Sequence, residues 1–198
     1  MLKKMSPYWI WAVLSLPALT MMPGLLTASG REFHFLLHPS GEWAARLLIL
    51  TMCITPLMQL TKGAVWVRWL RANRRYFGVA SFAYAAVHVY VYVVGAGSLA
   101  KLLAEATAFD MWTGWAAFAI FIPLAATSMD YAVRKLGLWW KPLQKWTYAS
   151  AVLVLLHWAS LHGWNEPMGA VVNFAPLIVL TGYRLWWTYL RQRPLRMA

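Results

Sequence analysis

Six apolar stretches, each close to the length of a membrane-crossing helix, dominate this chain of 198 residues. They run over 7–27, 43–60, 76–95, 112–129, 146–163 and 168–188. Roughly 20 apolar residues cross the hydrocarbon core of a bilayer as an α-helix. Inside lipid every backbone N–H and C=O must be paired within the protein, and a helix pairs its own. The expected fold is therefore all-α, a polytopic bundle of six transmembrane helices forming a single domain over 1–198. A cleaved signal peptide is the rival reading of the first stretch. The run from Tyr8 to Leu26 is long for one, and no small-residue cleavage site follows it, so a retained span is expected.

Composition agrees with a lipid solvent. Only 12% of residues are charged and 61% are apolar, with a mean hydropathy of +0.52. A soluble domain carries about 25% charged residues. No length remains for a soluble catalytic domain beside the spans. The single cysteine, Cys53, lies in an apolar run and has no partner for an intramolecular disulfide or a CxxC site.

The charges orient the bundle. With the N-terminus inside, only Arg31, Arg46 and Lys101 among the eighteen cations fall on the outer side. Of the acidic residues, Glu32, Glu42, Glu105, Asp110 and Glu166 are outside and Asp130 alone is inside. This is the asymmetry expected of a chain with both termini cytoplasmic. The net charge of +12 is then a topological signal that also suits anionic lipid headgroups. Nucleic acid is not an expected partner, because the cations are spread over separate membrane-flanking segments. Many of the tryptophans, such as Trp66, Trp69, Trp112, Trp139 and Trp140, fall at span ends as an interfacial belt.

Against this background two histidines stand out, His88 in the third span and His157 in the fifth. An imidazole loses its water in hydrocarbon, so it is rare there unless the bundle interior uses it. His88 lies twelve residues beyond the start of its span and His157 eleven, and both spans are expected to run outward. Both side chains are therefore expected at one depth, about 18 Å from the inner face at 1.5 Å per residue. On the third span Gly78, Ser81, Ala85 and His88 share one face; on the fifth, Ser150 and His157 do. Small residues beneath a histidine admit a flat macrocycle, and equally admit close helix packing. The residues leave several readings open: two axial ligands to one haem iron, a hydrogen-bonded structural pair, or another metal or proton role. Zinc wants three or four ligands, and only two histidines share this depth. His34 and His38 are expected in the first outer loop and His162 at the outer end of the fifth span. Solvated loop roles suit them, with a place on an electron or quinone route as the alternative. Asn73, Arg74 and Arg75 form a basic inner edge, either a membrane anchor or a seat for an anionic flavin phosphate.

Several segments together resemble a family. They are His38-Pro-Ser-Gly-Glu-Trp-Ala-Ala-Arg46, Ile54-Thr-Pro-Leu57, Arg74-Arg75-Tyr-Phe-Gly78 running to His88, Ala125-Ala-Thr-Ser128, Arg134-Lys-Leu-Gly137, and Trp140-Lys-Pro-Leu-Gln-Lys-Trp-Thr-Tyr148 running to His157. In order and spacing these are similar to the MsrQ (YedZ) haem-binding membrane subunits of bacterial methionine sulfoxide reductase systems, within the ferric reductase-like transmembrane proteins. The resemblance implies a b-type haem held by His88 and His157. It implies electrons arriving from a cytoplasmic flavin reductase or the quinone pool and leaving for a periplasmic molybdenum-containing reductase. FMN is also associated with such subunits, and Arg74, Arg75 and Gln144 would border it. Superfamily members with two haems carry a further histidine thirteen or fourteen residues earlier on each ligand helix. Here Arg75 or Arg74 and Gln144 stand there, so one haem per chain is expected. No G-x-G-x-x-G nicotinamide fingerprint is present. The alternatives are a quinol- or flavin-linked metal reductase and a haem-free structural membrane protein. As such a haem-binding subunit the chain would sit in the bacterial inner membrane and carry electrons for a catalytic partner rather than hold the catalytic site.

Overall fold

The computed structural model describes residues 8–27, 34–165 and 167–191. Nine α-helices lie among them: α1 (Tyr8–Thr27), α2 (His34–Leu60), α3 (Val65–Ala72), α4 (Arg74–Ala96), α5 (Leu99–Glu105), α6 (Phe109–Ala126), α7 (Asp130–Leu136), α8 (Trp140–Ser160) and α9 (Met168–Leu185). A short 3₁₀ turn joins α7 to α8, another follows α8, and α9 continues into a π-helical turn at Trp186–Arg191. The described residues contain no strand.

Among the described residues, five helical stretches are long and apolar enough to cross a membrane: Tyr8–Leu26, Phe35–Leu60, Arg74–Ala96, Phe109–Ala126 and Met168–Leu190. The sixth expected span falls on α8. That helix has the length, at 21 residues, but Lys141, Gln144 and Lys145 in its first turns lower its apolar character, so it is not among the five. Large apolar side chains such as Leu16, Val172 and Val179 face outward, 55%, 62% and 68% exposed. In water such a surface would drive association, whereas lipid tails solvate it. Prolines interrupt α1, α2, α6 and α9.

Two antiparallel helix pairs make the centre, α2 with α4 and α6 with α8. Leu47, Ile54, Phe77, Ala80, Tyr84 and Val91 form the apolar seam around the first pair, with α1 laid across it. Leu48, Met52, Cys53, Phe121, Ala151 and Phe174 form the second seam, which α9 closes.

Some boundaries differ from the sequence expectation. α2 begins at His34 rather than 43, so His34 and His38 belong to its first turns and not to an outer loop. The polar start, His38 to Glu42, masks the helix from a hydropathy reading, yet Ser40 satisfies its hydroxyl within the helix on Leu36 O and Leu37 O. His162 falls in the turn after α8. Lys3, Lys4, Arg31, Glu32, Glu166, Arg193 and Arg196, used to orient the chain, lie outside the described residues.

Candidate functional site

A cavity of about 230 Å³ opens between α2, α4, α6 and α8, and His88 and His157 both line it. Their ring centroids are 6.2 Å apart, with the ring planes at 81°. Each imidazole is anchored on its Nδ1 side by a main-chain carbonyl across the helix pair. His88 Nδ1 donates to Leu37 O at 2.9 Å, and His157 Nδ1 donates to Asp110 O at 2.6 Å. A carbonyl can only accept, so Nδ1 must carry the proton and the Nε2 lone pair is left available. Neither Nε2 has a hydrogen-bond partner among the described residues. Such an arrangement, one ring nitrogen fixed by a carbonyl and the other free, prepares a histidine to bind a metal.

The rest of the lining is apolar, small or flat. Gly41, Ala44 and Ala45 come from α2, Ala85 from α4, and Gly114, Trp115, Ala117, Phe118 and Phe121 from α6. The two glycines set how close the helices come to the rings. A Cβ on Gly41 would stand 2.9 Å from Cε1 and Nδ1 of His88, and a Cβ on Gly114 would stand 2.9 Å from the same atoms of His157. Both distances are inside van der Waals contact, so neither position accommodates a side chain beside the present ring.

The polar rim lies at the N-terminal end of α2. His38 and Glu42 both border the cavity; His38 Nδ1 is 3.5 Å from Glu42 Oε1, and Glu42 pairs with Arg46 at 2.6 Å. Arg46 also reaches Asn173 Oδ1 on α9 at 3.3 Å. On the α4 side Tyr92 lines the cavity and donates to Glu105 Oε2 at 2.8 Å.

The residues picked from sequence divide into three groups. His88, His157 and Ala85 meet in the cavity. Gly78, Ser81 and Ser150 do not line it; they join helices. Gly78 faces Thr51 of α2, Ser81 donates to Ala44 O at 2.7 Å, and Ser150 donates to Ala117 O at 3.4 Å. The face they share with the histidines is a packing face below the cavity, because α2 and α6 lie against it. Arg74, Arg75 and Gln144 lie at the far end of the bundle. Arg75 is paired with Asp130 at 2.6 Å, and that guanidinium holds the Asp130 carboxyl below the usual carboxylate range. Gln144 donates to Leu124 O and Thr127 Oγ1 on α6, each at 3.3 Å. No group of three or more His, Cys, Asp or Glu side chains is gathered for a metal ion among the described residues.

Sequence reading missed Gly41, Gly114 and the two carbonyl acceptors. A backbone acceptor leaves no trace in residue type, but the glycines do: Ser40-Gly41 and Thr113-Gly114 are each followed by alanine three residues on.

Residues 40–164 match the model of the ferric reductase-like transmembrane component. Three curated relatives, each named protein-methionine-sulfoxide reductase heme-binding subunit MsrQ, are similar to the chain over most of its length. One from Ralstonia nicotianae is 30% identical over 188 residues, covering 91% of this chain and 84% of its own. One from Bordetella pertussis is 33% identical, covering 80% and 78%. One from Xanthomonas axonopodis pv. citri is 36% identical, covering 75% and 67%. The chain belongs to the MsrQ branch of the ferric reductase-like transmembrane family. It is thus a multi-pass membrane protein, and the matched segment 40–164 runs from Ser40 beside the His88 anchor to just beyond His157. No solved structure matches it.

Proposed function

We propose that this chain is a membrane cytochrome b subunit that passes electrons through one haem, held by His88 and His157, to a periplasmic methionine sulfoxide reductase partner. The observation that carries this reading is the pair of carbonyl-anchored imidazoles facing across one cavity. A metal–imidazole bond is about 2 Å, so two rings gripping one ion from opposite sides have centroids about 6 Å apart. The observed 6.2 Å fits that requirement. The lining fits a porphyrin too: small residues beside the rings and flat aromatics around them, without a buried carboxylate to oppose it. The relatives' name, heme-binding subunit of a methionine sulfoxide reductase, supports both the cofactor and the kind of partner.

A haem held by His88 and His157 would supply a one-electron carrier, chemistry suited to electron transfer. The protein's own contribution is orientation and seclusion. Leu37 O and Asp110 O fix which nitrogen of each imidazole faces the cavity, and the apolar lining keeps water away.

Direction follows from position along the helices. His88 lies fourteen residues from the start of α4 and eight from its end, about 21 Å and 12 Å respectively. With α8 crossing as a sixth span and both termini cytoplasmic, the site sits nearer the periplasm. Electrons then leave past the His38, Glu42 and Arg46 rim. The inner gap is bridged by a cytoplasmic flavin or by quinol, and Arg74, half-buried at the inner end, is the residue we assign to an anionic donor there.

The test is delivery. The reduced full chain in nanodiscs is mixed with the periplasmic molybdenum-containing reductase encoded by the same organism and methionine sulfoxide. Reoxidation that requires both is expected. Reoxidation by ferric chelate alone, with the reductase inert, would replace this reading with that of a metal reductase.

A further inference from the structure

The two histidines are held by an internal repeat. In the first pair, His88 of α4 lies against Gly41 of α2, its Nδ1 bonds the carbonyl four residues before that glycine, and a hydroxyl residue directly precedes the glycine. One helical turn further along α2, Ala44 O accepts from Ser81, seven residues before the histidine. In the second pair every position recurs. His157 lies against Gly114, bonds the carbonyl of Asp110 four residues earlier, and Thr113 precedes the glycine. Ala117 O, three residues on, accepts from Ser150, again seven before the histidine. Ser40 and Thr113 even share their internal bonds, each hydroxyl reaching the carbonyls three and four residues back.

Each half-site therefore fixes its ring at two points, a carbonyl on Nδ1 and a bare glycine backbone against Nδ1 and Cε1. Those contacts leave the imidazole no freedom to turn about its Cβ–Cγ bond without losing the hydrogen bond or striking the helix. The two half-sites face each other with their ring planes at 81°. We propose that Gly41 and Gly114 are positioning residues that set the planes of the axial imidazoles, holding them near perpendicular across the iron. This rests on the haem reading given above. An alanine methyl at either position would stand 2.9 Å from two ring atoms. The neighbour there is a rigid ring and not the end of a flexible chain, so the imidazole must rotate or withdraw.

Ring-plane angle has its own signature. Ferric low-spin iron between perpendicular imidazoles gives a highly anisotropic EPR signal with one dominant low-field feature, whereas near-parallel rings give a rhombic three-line spectrum. Low-temperature EPR of the full ferric chain in nanodiscs is expected to show the anisotropic signal. Gly41→Ala and Gly114→Ala are each expected to convert it to a rhombic or high-spin spectrum. Gly78→Ala is the packing control on α4, since its Cβ would meet Thr51 at an ordinary 3.7 Å, and it is expected to leave the signal unchanged. A rhombic wild-type signal overturns the proposal, as does an anisotropic signal that survives both alanine substitutions. Where an alanine variant does not accumulate, the wild-type signal decides, rhombic overturning and anisotropic supporting the perpendicular seat. A wild-type chain with no haem would instead defeat the underlying functional reading, so the two failures are separable.

Discussion

Removing one oxygen atom from Tyr84 should loosen the first helix from the bundle. Pro17 lacks an N–H and its ring crowds the carbonyl four residues earlier, which opens the hydrogen-bond ladder of α1. Tyr84 of α4 fills that opening. Its hydroxyl accepts from Ala18 N at 3.0 Å and donates to Leu14 O at 2.7 Å, the two groups that an unbroken helix would pair with each other. Tyr84→Phe removes both bonds and keeps the ring, which is 5% exposed and lies 6.4 Å from the Trp43 ring, tilted by 32°. Hydrogen bonds between membrane helices average about 0.6 kcal/mol and reach about 1.7, so two of them give a loss of about 1–3 kcal/mol. Unfolding of the chain in bicelles should show that loss, and hydrogen exchange should show faster exchange at the Ala18 amide. Tyr84 does not line the cavity, so the absorbance spectrum should not change. Wild-type stability together with wild-type protection at Ala18 would mean that α1 closes its own ladder, and the reasoning would fail.

Other substitutions separate the roles of neighbouring residues. His88→Ala and His157→Ala should each abolish six-coordinate low-spin haem in the visible spectrum, while His38→Ala, on a side chain 62% exposed at the rim, should preserve it. Ser81→Ala should destabilise the bundle by about 1 kcal/mol in the same unfolding assay, and Ser150→Ala by less, because the Ser150 bond is stretched to 3.4 Å against 2.7 Å. The Asp130 carboxyl, held low by Arg75, lends its tie above the unfolded carboxylate range and loses it as pH falls through the folded value. Both side chains are exposed, so Asp130→Asn should leave thermal stability nearly unchanged at neutral pH and remove what acid dependence the pair contributes.

The sequence carried the parts of this protein that depend on solvent and depth. Apolar length marked α1, α4, α6 and α9, and the histidines inside the apolar stretches 76–95 and 146–163 do come together, with His88 and His157 ring centroids 6.2 Å apart. Hydropathy failed where polar residues sit inside helices. It cut α2 short at its His38 to Glu42 start, and it began α8 at 146, past the basic first turns that hold Lys141 and Lys145. Three short helices, α3, α5 and α7, were invisible because they lie in the links between spans. Spacing alone cannot say whether a neighbouring helix or a ligand covers the small residues. Ser81 and Ser150 turned out to bond that neighbouring helix. The glycines that matter most at the rings lie on α2 and α6, helices without a ligand of their own, and only the repeated hydroxyl–Gly–x–x–Ala pattern marks them.

One haem held between His88 and His157 is the core of the proposed function. Pyridine haemochrome analysis beside the visible spectrum of the purified chain, from cells supplied with haem precursor, tests it most directly. A low-spin six-coordinate b-type spectrum at close to one haem per chain is expected. A colourless protein, or two haems per chain, would contradict it.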